Sequence, residues 1–153
     1  MDPDQLQTIP LFAKLSADHL ALVAELGHER SFEAKEVIFR EGDAGAEFFV
    51  VLSGKVRISK AVPGAGEEAL AILGPGSHFG EMALMDDTPR SADAIAHLAT
   101  RLWAIKKQDL DALMRQHQDL AYELLWTFVR TLSARLRETN DKISFFFAIS
   151  SNS

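Results

Sequence analysis

The side chains with most chemical potential fall within fourteen residues, Phe79 to Ala92, reading Phe-Gly-Glu-Met-Ala-Leu-Met-Asp-Asp-Thr-Pro-Arg-Ser-Ala. Gly80 lets the backbone approach a ligand closely. N–H groups at the start of the short apolar turn Met82 to Met85 favour a phosphate. The Glu81 carboxylate can accept a hydrogen bond from a ribose hydroxyl. Arg90, nine residues after Glu81, offers a guanidinium to an anion. Pro89 stiffens its approach, and the Ser91 hydroxyl and N–H add donors. Together these groups suit one small anion that also carries a sugar hydroxyl. Each has a plainer reading when taken alone: Glu81 as the acid of a helix start, Arg90 as a surface cation paired with Asp86 or Asp87. The joint pattern, Phe-Gly-Glu-x-Ala-Leu, a short gap, then Pro-Arg-Ser-Ala, is far more specific than its parts.

Three stretches of chain must position these groups. From Gln5 to Gly27 the pattern is helical: Ser16 reads as an N-cap, Leu20, Val23, Ala24 and Leu26 form an apolar stripe, and Gly27 is placed to end it. From about Ser31 to Ile105 short strands alternate with turns. Phe48-Phe49-Val50-Val51-Leu52 is apolar on both parities, as in a strand covered on both faces, whereas Val56 and Ile58 alternate with Lys55, Arg57 and Ser59 and imply one wet face. Pro63-Gly64-Ala65-Gly66 is a hairpin tip, Ala69 to Leu73 another strand, and further strands are expected around Ala92 to His97 and Arg101 to Ile105. Strands of this length and spacing predict a sandwich or jelly-roll barrel. From Lys107 the chain reads as helix again, a short one from Asp109 to Gln116 and a long one from His117 to about Phe147. Leu125, Val129, Leu132, Leu136, Thr139, Ile143 and Phe146 follow steps of four and three along it, a seam suited to a helix–helix dimer as well as to packing on the roll.

The Phe79–Ala92 segment closely resembles the phosphate-binding cassette of the cyclic nucleotide-binding domain family, and the order helix, β-roll, helices is the order of elements in that family. The resemblance runs from about Leu11 to Ile143, and Gly42, Gly54, Gly74 and Gly80 fall where the family turns its roll. It implies an α+β fold: a β-roll (double-stranded β-helix, or jelly roll) flanked by N-terminal helices and a long C-terminal helix. One domain is expected, with a helical segment over 1–30, the roll over 31–106 carrying the cassette 79–92, helices over 107–148 and a polar tail over 149–153. By the same resemblance Glu81 would accept from the ribose 2′-OH. Gly80, Met82, Ala83 and Leu84 would line the pocket, Arg90, Ser91 and Ala92 would face the phosphate, and Thr139 with Asn140 on the long helix would read the base. Asp93 stands where many family members carry the Thr or Ser sometimes used to select guanine, which weakens a cGMP assignment and favours cAMP as ligand. Arg135 to Lys142 resembles the dimer helix of the catabolite activator branch. In that branch a helix-turn-helix domain follows; the chain here is expected to stop, with Phe145, Phe146 and Phe147 leaving apolar surface for a dimer mate, a protein partner or the roll itself, should the helix end fold back over it.

Bulk composition supports this outline. The chain has 153 residues, 47% hydrophobic and 25% charged, which is enough for one core without metals or disulfides. It has no cysteine, which removes thiol catalysis and thiolate zinc sites and fits a cytoplasmic location. A net charge of −6 argues against nucleic-acid binding by the chain itself, so Arg130, Arg135, Arg137 and Lys142 read as a solvated helix face. No apolar run approaches the roughly 20 residues of a membrane span. A metal enzyme is poorly supported, since His78 and Glu81 have no further histidine beside them and His19, His28, His97 and His117 are dispersed. A Ser91/His97 hydrolase lacks a nucleophile elbow. The expectation is a non-enzymatic cyclic nucleotide sensor with no cofactor. The alternatives are a nucleotide-independent interaction module of the same fold and a cyclic-dinucleotide receptor.

Overall fold

A computed structural model describes residues 1–80 and 88–151. The N-terminal segment, expected to be helical from Gln5 to Gly27, consists of two short helices with a 3₁₀ turn between them. Asp2 caps α1 (Pro3–Gln7), a 3₁₀ turn follows over Pro10–Phe12, and α2 spans Ala17–Leu26. Ser16 caps α2 as expected, its Oγ accepting from the His19 N–H at 3.2 Å. Gly27 does end α2, but in extended conformation at φ −82°, so a left-handed cap is not why glycine stands there. The reason is a close approach: a Cβ at Gly27 would lie 1.9 Å from the buried Trp103 ring.

Among the described residues eight strands form two four-stranded antiparallel sheets. They are β1 (His28–Phe32), β2 (Val37–Phe39), β3 (Glu47–Ser53), β4 (Val56–Val62), β5 (Gly66–Leu73), β6 (His78–Phe79), β7 (Asp93–Ala96) and β8 (Thr100–Lys106). One sheet has the order β1-β8-β3-β6, the other β2-β7-β4-β5. Apart from the β4–β5 hairpin, neighbours in each sheet come from non-consecutive strands, as in the expected jelly roll, and Gly42, Gly54, Gly74 and Gly80 all lie between strands.

Two cores follow from the period-2 alternation of β3 and β8. Phe49, Val51, Leu102 and Ala104 point into the roll with Val56, Phe79 and Ala94. Phe48, Val50, Trp103 and Ile105 point out, where Leu6, Phe12, Leu20 and Val23 cover them together with the C-terminal helices. This is why the Phe48–Leu52 run is apolar on both parities. The predicted wet face of β4 fails at one residue: Ser59 is fully buried. β4 keeps an unbroken register with β7 from Val56 to Ser59, and the β4–β5 register shift skips Leu70 of β5, so Ser59 keeps the parity of Arg57 and is buried on that face beside the Arg57–Glu67 pair.

The chain closes with α3 (Lys107–Gln116) and α4 (Gln118–Ser151). The polar end expected as a tail from 149 is therefore helical to Ser151. The face of α4 that packs on the roll carries Leu120, Leu124 and Phe128. The four-and-three stripe expected to form a seam lies elsewhere on the helix, with Leu125, Val129, Leu136, Ile143 and Phe146 exposed. Among the described residues no helix is long and apolar enough to cross a membrane.

Candidate functional site

Arg90 is the centre of the site, and it is buried, only 8% exposed, which removes the surface ion-pair reading. Its backbone is fixed to the turn after β2: the Arg90 N–H donates to the Asp43 carbonyl and its carbonyl accepts from the Gly42 N–H, both at 2.8 Å. Asp93, three residues on, holds the same turn, its Oδ1 accepting from the Glu41 N–H at 2.7 Å and its Oδ2 lying 3.5 Å from Arg40. Asp93 thus serves the scaffold and does not line the cavity described below.

The guanidinium lies over the Phe39 ring, 4.1 Å from its centroid. Its Nη2 donates to the Glu47 carbonyl and its Nη1 to the Gly80 carbonyl, the latter at 3.3 Å. A charged donor so held is pre-organised, since its rotamer freedom has been lost in folding. Gly80 is needed here twice. It sits at φ +86°, and a Cβ would lie 2.8 Å from Arg90 Nη1 and 3.1 Å from the Glu47 carbonyl oxygen.

Above these groups opens a cavity of about 430 Å³, within the usual range for small-molecule sites. Phe39, Ile58, Leu70, Leu73, Phe79, Pro89 and Ala92 supply apolar wall, and Gly80, Thr88, Arg90 and Ser91 supply polar groups. The fourth wall is α4, through Arg135, Glu138, Thr139 and Lys142. The described lining carries three cations and one carboxylate, a local excess of positive charge on a chain of net charge −6. Such a concavity attracts a small anion. A second hollow of about 680 Å³ between the Gly42–Glu47 loop and the start of α3 is more open and receives no side chain from α4.

Five of the residues expected at the site, Gly80, Arg90, Ser91, Ala92 and Thr139, meet in this one cavity. Glu81, Met82, Ala83 and Leu84 lie outside the described residues. Asn140 does not line the cavity, and the Thr139 hydroxyl donates to the Arg135 carbonyl at 3.0 Å. The reading of Arg135 and Lys142 as a merely solvated face is corrected: both line the cavity, and Arg135 Nη2 donates to the His78 carbonyl at 3.3 Å beside the cassette. Sequence reasoning missed them although Arg135, Glu138, Thr139 and Lys142 recur at steps of three, one and three, one helix face. A second correction concerns the histidines taken as dispersed: His19 and His117 come together with Asp119 at the far end of the molecule.

The model of the cyclic nucleotide-binding domain family matches residues 29–117. The chain belongs to this family. It is 38% identical over 139 residues to the cyclic AMP receptor protein of Thermus thermophilus, covering 89% of this chain and 62% of that protein. The crystal structure of the catabolite activator protein of the same organism superposes with a TM-score of 0.76 at 36% identity, over 90% of this chain and 62% of the other. A cyclic nucleotide-binding domain from Methylobacillus flagellatus gives a TM-score of 0.79 at 28% identity, over 90% and 77% of the two chains. The chain thus spans about three fifths of the length of the Thermus relative.

Proposed function

We propose that the protein is a non-enzymatic sensor of a cyclic mononucleotide, cAMP in preference to cGMP, that couples binding to the position of α4. The observation that carries this reading is the convergence on one cavity of the buried Arg90, the glycine turn at Gly80 and Thr139 from the long helix. Arg90 supplies the phosphate contact, a charge-assisted one of roughly 1.5–3 kcal/mol. Ser91 donates beside it. In the cassette segment outside the described residues, Glu81 is the acceptor proposed for the ribose 2′-OH. Thr139 reads the base, and its hydroxyl must leave or share the Arg135 carbonyl to do so. Asn140, about 100° further round the helix, points away from its own cavity and is the proposed contact to the base held by a second copy. With Asp93 committed to the Glu41 turn, the hydroxyl sometimes used to select guanine has no counterpart, which is the case for adenine. A volume of about 430 Å³ is tight for a cyclic dinucleotide. An interaction module that ignores nucleotides has no use for a buried guanidinium beneath an open cavity. A cytoplasmic location fits a second-messenger sensor and belongs to the same proposal.

Calorimetry with cAMP, cGMP and cyclic di-GMP tests the reading. The expected result is tightest binding of cAMP, loss of most of the heat in Arg90→Ala, and in Thr139→Ala a larger loss of adenine-over-guanine preference than of affinity. Absence of binding by all three nucleotides overturns it. Because removing Arg90 strips a donor from two carbonyls, each such loss costing about 1–3 kcal/mol, Arg90→Lys is measured beside it. The lysine keeps the charge but lacks the fork, and it should bind about tenfold more weakly or worse.

A further inference from the structure

His19, His117 and Asp119 do not line the nucleotide cavity, and His19 is about a hundred residues from the other two in sequence. The fold brings one ligand atom of each within 4.8 Å of the others. His19 stands on α2; His117 is the residue between α3 and α4; Asp119 is in the first turn of α4. His19 Nε2 lies 3.1 Å from Asp119 Oδ2, and the two imidazoles meet edge to face with centroids 6.0 Å apart. The backbone around them is fixed. The His117 N–H donates to the Leu113 carbonyl at 2.9 Å, and its own carbonyl accepts from the Ala121 N–H at 3.0 Å. Asp119 Oδ1 accepts from the Leu120 N–H at 3.0 Å, which turns Oδ2 toward His19.

We propose that these three side chains form a binding site for Zn²⁺ or a chemically similar first-row divalent cation, fastening α2 to the root of α4. Two imidazoles and a carboxylate are a zinc donor set, with water completing the tetrahedron. Bonds of about 2.0–2.2 Å place tetrahedral ligand atoms roughly 3.3–3.5 Å apart, so the His19–Asp119 pair, at 3.1 Å, need open by only a few tenths of an ångström. A small rotation of the His117 ring brings in the third. An ion pair between His19 and Asp119 accounts for two of the groups but gives no role to the second imidazole. The metal would join the N-terminal helices to the helix whose later turns carry Arg135 and Thr139, so it would set the base about which α4 moves.

The test uses the full chain freed of metal with EDTA and titrated with ZnCl₂ by calorimetry, beside His19→Gln, His117→Gln and Asp119→Asn. One Zn²⁺ per chain is expected, with affinity reduced about tenfold or more in each variant. Zn²⁺ should raise the melting temperature of the wild type and leave the histidine variants unmoved. Co²⁺ should give the visible absorption of a tetrahedral site, absent in His117→Gln. Melting in EDTA checks that each variant folds, and cAMP calorimetry without metal should be the same in all, so a failure here is distinct from a failure of the nucleotide site. No Zn²⁺ binding by the wild type overturns the proposal. So does binding that survives in both histidine variants, or binding that depends on His19 and Asp119 but not on His117.

Discussion

Gly80 and Arg90 form one unit, because the absence of a side chain at the first sets the place of the second. A methyl group at Gly80 would meet Arg90 Nη1 at 2.8 Å and the Glu47 carbonyl oxygen at 3.1 Å. The guanidinium end can swing away, but doing so takes it off the Glu47 and Gly80 carbonyls and off the anion. The carbonyl belongs to β3 and can yield only by distorting the sheet. Holding a residue with a Cβ at φ +86° adds roughly 1–2 kcal/mol. Gly80→Ala should therefore lower the melting temperature by about 2–8 °C, as expected for a chain of this size, and weaken cyclic nucleotide binding by more than tenfold. Thermal melts and calorimetry on the same preparation check both. A lower melting temperature with intact affinity would mean that Arg90 reaches the phosphate without help from Gly80.

The two hairpin strands that wall the cavity, β4 and β5, are tied by an ion pair whose consequence can be read by titration. Arg57 Nη2 donates to Glu67 Oε2 at 3.2 Å, and Nε reaches the other oxygen. This bonding to Arg57, helped by Ser59 and Arg57's charge, holds the Glu67 carboxyl below the usual glutamate value. A depressed folded-state value means that the contribution is present above the ordinary glutamate range and is lost as pH falls through the lowered value. Glu67 is solvent-exposed, so the effect on global stability is small and the local titration is the proper readout. NMR should find the Glu67 midpoint below that of a free glutamate, and Arg57→Ala should return it upward. What was legible in the sequence and what was not divides along these same elements. The double-faced β3, the Ser16 cap and the turn at Gly80 were readable because each is a local pattern. Ser59 was misread because its burial depends on the neighbouring strands β5 and β7 and on the Arg57–Glu67 pair beside it, which the alternation within β4 does not record. Arg135 and the His19–His117–Asp119 cluster were missed because both depend on where α4 and α2 lie against the roll, a long-range fact with no local period. Gly27 was placed correctly at a helix end for the wrong reason, since its partner is Trp103, on the strand that pairs with β1.

At the scale of the whole molecule, α4 is longer than the roll can cover. Its 34 residues span about 50 Å, and the last of its buried side chains is Phe128. Beyond that point Leu136 is 61% exposed and Phe146 73%, with Ile143, Phe145 and Phe147 also open. A helical extension with this much apolar surface is poorly stabilised by its own hydrogen bonds and calls for a covering surface. The proposed cover is the same helix of a second copy, since Leu125, Val129, Leu132, Leu136, Ile143 and Phe146 keep the four-and-three spacing of a two-stranded seam. The arrangement has a thermodynamic use. Driving a two-state sensor from almost wholly off to almost wholly on takes about 5.5 kcal/mol of differential affinity, more than one arginine contact supplies. A base gripped by Thr139 of one copy and Asn140 of the other would add the remainder and link the two sites through the seam. Replacing Leu136 and Ile143 together by aspartate, neither of which lines the cavity, should convert a dimer into a monomer in sedimentation equilibrium while leaving the roll folded. The monomer should bind cAMP about tenfold more weakly, and Asn140→Ala should have no further effect in it. If the wild type is itself monomeric with and without nucleotide, the seam is not a dimer interface. If the double variant dissociates but keeps full affinity, the base is read within one chain and Thr139 alone performs that task.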